Sequence, residues 1–383
     1  MSLKMKFTIN RAAFLKELNN VSRAISSKTT IPILTGLKLV ADDNGLTLTG
    51  SDADISIEAL IHADDPDNQL AIESTGAIVL PARFFGDIVK RLPEDNMTLD
   101  VTEGFQTEIT SGSASFTING LDANNYPRLP EIDATDAITL SGDVFRELIN
   151  QTVIAVSNQE SRPILTGVHF TLVDDQLLAV ATDSHRLSQR KITLPTSASA
   201  TYDVIIPGKS LTELSRMISD DNPDVEMRLS DNQVLFTIDD RLFYSRLLEG
   251  NYPDTSRLIP KEATTSAEFD AKSLLASVER ASLLSHESRN NVVKLTLNSE
   301  DGKATIFGNS PDVGNVEEEL TPKELTGDEL EISFNPDYMK DALRSFGQTE
   351  IRIAFTSPLR PFTLVPTEDS ENFIQLITPV RTF

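Results

Sequence analysis

Pro32-Ile33-Leu34-Thr35-Gly36 returns 131 residues later, letter for letter, as Pro163-Ile164-Leu165-Thr166-Gly167. In the same register Asp52 of Gly50-Ser51-Asp52 meets Asp183 of Ala181-Thr182-Asp183, and Phe14 meets Phe145. Three coincidences at one offset identify an internal repeat, and a repeat governs every later reading of a chain. A second set of landmarks extends it to a third copy: an apolar, strand-like run ends in proline and opens a helix at Val79-Leu80-Pro81, Ile205-Ile206-Pro207 and Phe334-Asn335-Pro336. Proline is tolerated in the first helical turn because its missing N–H has no helical partner there. Asn125-Tyr126-Pro127 and Asn251-Tyr252-Pro253 close the first two copies. The turn-rich stretches around them, Leu121 to Asp136 and Glu249 to Ala263, are the expected linkers.

Each copy reads as helix, several strands, helix, several strands. Phe14, Leu15, Leu18, Val21 and Ile25 form a helical stripe. Leu46-Thr47-Leu48-Thr49 and Ala114-Ser115-Phe116-Thr117-Ile118 alternate with period two, as half-buried antiparallel strands do. The expected helices are Asn10 to Lys28, Pro81 to Leu92, Ser141 to Gln159, Pro207 to Ile218, Asp270 to Glu287 and Pro336 to Gly347, with Ala304 to Phe307 a strand of the diverged third copy. The fold class is therefore α+β: three repeated domains, each two helices packed on antiparallel sheet. A length of 383 residues agrees with two to four domains, and the boundaries fall at 5–128, 135–258 and 259–383. Met5-Lys6-Phe7-Thr8-Ile9 reads as the start of the fold, so Met1 to Lys4 are set outside it.

Composition removes several classes of function. The chain has no cysteine, which excludes disulfides, thiolate metal sites and a cysteine nucleophile, and which suits a reducing cytoplasm. No apolar stretch reaches the length of a membrane span. The net charge of -24 argues at first against a polyanionic partner. Its distribution argues the other way: the six expected helices together carry +4, and the remainder of the chain carries -28. Helix surfaces often hold Lys and Arg, but three pseudo-equivalent copies could turn all their helices toward a polyanion while acidic strands and loops repel it elsewhere. Arg11, Lys16, Arg23, Lys28, Arg83, Lys90, Arg91, Lys209 and Arg216 are dispersed, and no base-reading module is present, as sequence-independent contact with duplex DNA requires.

Met5-Lys6-Phe7-Thr8-Ile9, Pro32-Ile33-Leu34, Ala181-Thr182-Asp183-Ser184-His185-Arg186-Leu187, Asn251-Tyr252-Pro253 and Pro379-Val380-Arg381 occur in order, and together they resemble the bacterial sliding clamps, the beta subunits of the replicative DNA polymerase. The resemblance spans the chain from Met5 onward. It implies a head-to-tail homodimer closing a ring, helices inside, which encircles duplex DNA and tethers the polymerase, a clamp loader and other polymerases and repair proteins through short linear peptides, without intrinsic catalysis. It implies a peptide cleft between the second and third copies at Leu165, Thr182, His185, Arg186, Leu187, Pro253, Arg257, Leu258, Tyr338, Leu376, Pro379, Val380 and Arg381. Apolar walls with a few polar anchors suit such a peptide. It also implies DNA contact near Lys28, Gln159 and Arg162, which the basic helical residues Arg11, Arg83 and Lys209 extend. The resemblance further implies subunit contact at Phe116, Leu283 and Leu284. Ser184, Thr378 and Pro163-Ile164 depart from residues frequent in relatives: a glycine, a methionine and a tyrosine pair that touches DNA.

Other readings are weaker. Asp183-Ser184-His185 contains triad residue types, but three consecutive side chains rarely converge on one point. His62, His169 and His286 lack a His or Cys at ligand spacing, so no metal is expected. Asp42-Asp43, Asp64-Asp65, Asp239-Asp240 and Glu317-Glu318-Glu319 read as solvated turns or polar strands. No phosphate-cradling glycine motif is present, so no cofactor is expected. The rivals are an acidic enzyme and a repeat-built protein-interaction scaffold that never meets DNA.

Overall fold

The computed structural model describes residues 4–132, 137–221 and 223–382. The end of the first expected linker and the expected domain boundary at 135 lie outside the described residues, as do Met1 to Leu3 and Phe383.

Among the described residues there are six α-helices, one within each expected span: α1 (Arg11–Ser22), α2 (Ala82–Arg91), α3 (Gly142–Thr152), α4 (Gly208–Ser215), α5 (Ala271–Ser285) and α6 (Pro336–Phe346). Phe14, Leu18 and Val21 bury the stripe of α1. Side-chain caps begin three of them by satisfying an orphan N–H. Asn10 accepts from the Ala13 N–H at 3.1 Å, Asp270 from that of Ser273 at 2.8 Å, and Asn335 from that of Asp337 at 2.8 Å. The bonds from Ser273 also hold the Asp270 carboxyl below its ordinary pKa. Three helices end three or more residues early: α1 gives way to turns after Ser22, α3 continues only as a 3-10 turn through Ala155, and α4 gives way to turns after Ser215.

The three prolines are not equivalent. Pro336 occupies the first turn of α6. Pro81 and Pro207 are instead the last residues of strands and pair with Gly36 and Gly167. Proline at a strand end forfeits no ladder bond inside the sheet.

All strand pairs are antiparallel, and the chain forms two compact units. The first holds 4–143 and 216–247, the second 144–215 and 248–382, within the described residues. An eight-stranded sheet of the first unit runs 138–141, 224–229, 233–238, 241–246, 55–62, 45–51, 36–41, 76–81. A nine-stranded sheet of the second runs 202–207, 167–173, 176–182, 186–193, 373–377, 362–366, 350–355, 265–270, 324–327. Both follow one plan: four strands of one repeat copy joined edge to edge to strands of the next. The joints are Ile57 opposite Phe243 in one sheet and Leu187 opposite Leu376 in the other. The central copy therefore divides between the units, since sheet continuity outweighs repeat boundaries. Each unit also has a smaller sheet: 71–74, 6–10, 96–101, 106–111, 114–119 in the first, and 314–320, 303–310, 293–298, 330–334 in the second.

The repeat persists to single hydrogen bonds. Asp52 Oδ1 accepts from the N–H groups of Asp54 and Ile55 at 3.0 and 2.8 Å; Asp183 Oδ1 accepts from those of His185 and Arg186 at 2.9 and 3.0 Å. The expected linkers are anchored rather than loose. Leu121 bridges to Val79 in one copy and Leu248 to Ile205 in the next, while Tyr126 is buried and Tyr252 accepts from the Thr182 N–H at 3.0 Å.

Candidate functional site

The strand Gln176–Thr182 and the strand Arg186–Thr193 are joined by the turn Asp183-Ser184-His185. Ser184 holds φ at 80°, a conformation that favours glycine. The turn is nevertheless determined by its bonds: Thr182 Oγ1 donates to the Arg186 carbonyl at 2.7 Å and accepts from the Ser184 N–H at 3.2 Å. The three triad-type side chains have separate tasks. Asp183 caps the turn, Ser184 Oγ accepts from Arg162 Nη1 at 3.0 Å, and the His185 ring stacks near Tyr338 with centroids 6.2 Å apart.

Arg186 is the centre of the cluster. Its Nε donates to Asp183 Oδ2 at 3.1 Å and its Nη1 to Asp341 Oδ2 at 2.7 Å, with the guanidinium 4.6 Å from the Tyr338 ring centre. Two carboxylates and an aromatic face fix a planar cation that retains further donors. Burial, followed by the Asp183 charge, raises the Tyr338 pKa. Beside it lies an apolar floor of Val180, Leu187 and Leu376, with Leu178, Tyr252 and Ile259 packed against it. Tyr252 is stacked on His169 at 4.8 Å, His169 is bonded to Asp203 at 2.7 Å, and burial pushes the Tyr252 hydroxyl up to about 12. The C-terminal run closes over the turn: the Thr378 N–H donates to the His185 carbonyl at 2.9 Å and the Val380 N–H to the Ser333 carbonyl at 2.8 Å.

Thr182, His185, Arg186, Leu187, Tyr338, Leu376 and the backbone around Pro379 and Val380 are thus brought together. Leu165 is buried in the turn Pro163–Thr166, and Pro253 follows Tyr252. Arg257 reaches only Asp254, at 3.7 Å, while Leu258 and Arg381 are exposed; among the described residues no hydrogen bond or ion pair ties these three to the Arg186 network. Asp341 and the Tyr252–His169–Asp203 stack went unforeseen. Asp341 lies three residues beyond Tyr338 on one face of α6, a spacing that would have flagged it.

Of the expected DNA-facing positions, Arg83 on α2, Lys209 on α4, Lys28 beyond α1, and Gln159 and Arg162 in the turns after α3 are all exposed. Arg11 opens α1, its Nε donating to the Glu94 carbonyl at 3.1 Å. Phe116 stands on the free edge strand Ala114–Asn119, Leu283 is 70% exposed on α5, and Leu284 is half-buried. The histidines and paired acids are occupied structurally: His62 binds Asp240 at 2.9 Å, His286 binds Asp337 at 3.1 Å, Asp42 and Asp65 cap turns, and Glu318 binds Arg280.

Three consecutive family models match the chain: the N-terminal domain of the DNA polymerase III beta subunit at residues 5–130, its central domain at 139–254 and its C-terminal domain at 256–381. The chain belongs to the DNA polymerase III beta subunit family, the sliding clamps that serve DNA replication as processivity factors and not as catalysts. It is 48% identical to the beta sliding clamp of Bacillus subtilis over 99% of this chain and all of that one. With the beta sliding clamp of Streptococcus pneumoniae it shares 46% identity over 98% and 99% of the two chains. The crystal structure of the DNA polymerase sliding clamp from Bacillus subtilis superposes with a TM-score of 0.95, covering 99% of this chain and 100% of that one. A sliding clamp from Pseudomonas aeruginosa bound to griselimycin, 28% identical, does so at 0.90, covering 99% and 100%.

Proposed function

We propose that two copies of this chain associate head to tail into a ring that encircles duplex DNA and holds the polymerase there through peptides seated around Arg186. The domains of the ring are the copies 5–128, 135–258 and 259–383. The observation that carries the reading is the bookkeeping of the sheets. Two joints between successive copies are made within the chain, each by a continuous sheet, and two half-sheets are left over with free edges at Ala114–Asn119 and Gly314–Leu320. Unpaired edges invite strand addition, and a second copy offers the complement of each. Phe116 on one edge and Leu283 and Leu284 on α5, which packs on the sheet of the other, supply the apolar surface of such a joint. The exposed Lys28, Arg83, Gln159, Arg162 and Lys209, with Arg11, are the DNA-facing set.

The cleft pairs an apolar floor at Leu187 and Leu376 with the Arg186 cation, and Leu165, Thr182, His185, Pro253, Arg257, Leu258, Tyr338, Pro379, Val380 and Arg381 complete the surface offered to the polymerase, the clamp loader and repair proteins. The place of action is the cytoplasm. The test begins with solution mass by light scattering across a concentration series. A species of twice the 42.1 kDa chain is expected. Retention on circular duplex DNA after loading, with release on linearisation, then separates a ring from any other dimer. A persistent monomer that is never retained would overturn the reading.

A further inference from the structure

The pseudo-symmetry that relates the two long sheets also relates the surfaces beside their joints. In the second unit Arg186 stands opposite Ile377; in the first, Ile55 stands opposite Ser245. With Ile55 and Arg186 equivalent in the repeat, Tyr244 occupies the place of Leu376 and Arg246 that of Thr378. Leu34 likewise matches Leu165, Ser51 matches Thr182, and Pro127 matches Pro253. At this counterpart position the first unit has a cavity of about 250 Å³, lined among others by Ile31, Leu34, Tyr244 and Pro127, with Arg128 and Arg246 at its margin.

We infer that this cavity is a second docking site of the chain, for a short acidic peptide segment carrying one bulky apolar side chain. The inference rests on the peptide reading of the Arg186 cleft for the kind of partner, and on the local chemistry for everything else. A volume of about 250 Å³ falls below the roughly 300–1,000 Å³ of sites that enclose whole small molecules. It suits a single phenylalanine or leucine side chain projecting from a peptide. Ile31 is exposed at its mouth, whereas Leu34 and Tyr244 are buried and form its base. Arg128 and Arg246 are both exposed, Asp54 is the one acid in the lining, and Glu58 lies near enough to Tyr244 for its charge to be felt there. In a chain of net charge -24 this leaves a local cationic margin, which selects carboxylates flanking the apolar anchor.

The two sites also differ in a way that predicts separate specificities. The second has a fixed cation, Arg186, held by Asp183 and Asp341. The first has Asp54 and Ile55 at the equivalents of His185 and Arg186, and places its cations at Arg128 and Arg246 instead. A peptide tuned to one is therefore not optimal for the other.

Because the chain contains no cysteine, Gln233→Cys places a single thiol on the wall of the cavity. The full chain is equilibrated, in excess 2-mercaptoethanol, with three cysteine-bearing pentapeptides supplied as their mixed disulfides with 2-mercaptoethanol, so that capture is thiol–disulfide exchange with 2-mercaptoethanol leaving. One has a phenylalanine followed by two glutamates, one has serine in place of the phenylalanine, and one has lysines in place of the glutamates. Intact mass is expected to show capture of the first over each of the others by about tenfold, a difference within reach of one buried ring and two ion pairs. Arg128→Glu with Arg246→Glu should turn the charge preference toward the lysine peptide. Arg186→Ala should leave it unchanged. Equal capture of all three peptides would overturn the proposal, as would a charge preference indifferent to the two reversals, or a disulfide-linked second copy as the sole product. Failure of the Arg186 cleft reads out separately, as partner-peptide affinity unaffected by Arg186→Ala while the cavity's preference persists.

Discussion

Arg186 shows how much of a site can be read from residue types and how much depends on distant chain. Asp183 and Arg186 are three residues apart, and their pairing belongs to a turn whose equivalent at Asp52 was already legible from the repeat. Asp341 comes from 155 positions away, and although its spacing from Tyr338 on α6 is local, no local pattern announced its meeting with Arg186. Replacing Arg186 by Ala would leave the largely buried Asp183 carboxylate without its cation and Asp341 with Arg344 at 3.7 Å, a local cost of about 1–3 kcal/mol, and would remove the guanidinium from Tyr338. Partner-peptide affinity measured by fluorescence polarisation is expected to fall about tenfold or more, the response of a buried anchor. Deleting Pro379 to Phe383 should act in the same direction by removing Pro379, Val380 and Arg381 and the Val380 bond to Ser333 that anchors the C-terminal run. Both variants should remain dimers, and unchanged affinity in both would remove the cleft from consideration.

At the scale of elements, the helices were legible because they carry apolar stripes, and three of them side-chain caps, whereas the joining of sheets between repeat copies was not. Strand Ile55–His62 alternates buried and half-buried residues in any partnership, so its sequence is silent about meeting Arg241–Arg246. Charges mark that joint. Arg241 makes a two-pronged pair with Glu17, at 2.8 and 2.7 Å, and His62 binds Asp240. The bond to Asp240, aided by Asp64 and Asp65, raises the His62 pKa above 6.5. His62, Asp240 and Arg241 line a separate cavity with Asp67, Asp239 and Lys16. A raised histidine contributes its stabilisation in full below the ordinary value and loses it as pH rises through the raised one. NMR titration should find His62 titrating above 6.5 and returning toward that value in Asp240→Asn. The packing of α5 offers a stability test. A Cβ on Gly308 would stand 2.2 Å from the Ala281 carbonyl oxygen, so Gly308→Ala must push α5 from its sheet. A cost of about 1–3 kcal/mol is expected in denaturant melts, with weaker dimerisation because Leu283 and Leu284 ride on α5.

For the whole molecule, the decisive quantity is a net charge of -24 on a protein proposed to reside on DNA. An ordinary electrostatic binder would need a basic excess. In the proposed ring Arg11, Lys28, Arg83, Arg162 and Lys209 would supply about five phosphate contacts per subunit, about ten per dimer, for which log K against log salt would fall with a slope of up to roughly -9. Equilibrium binding to short linear duplex should therefore vanish within the physiological range of salt. A closed ring has no such dependence, since escape from a circle requires an interface to open and not a phosphate contact to break. Once loaded, the protein is expected to stay on circular DNA through a wash at about 0.5 M salt, where the screening length is only a few ångströms, and to leave when the circle is cut. Leu283→Glu with Leu284→Glu sets two further negative charges near Glu317, Glu318 and Glu319 and in the expected path of Phe116. The variant should sediment as a monomer and show no salt-resistant retention while still binding partner peptide. Retention that decays with salt on circles and linear duplex alike would mean that phosphate contacts alone hold the protein, and the ring reading would fail even if the dimer were real.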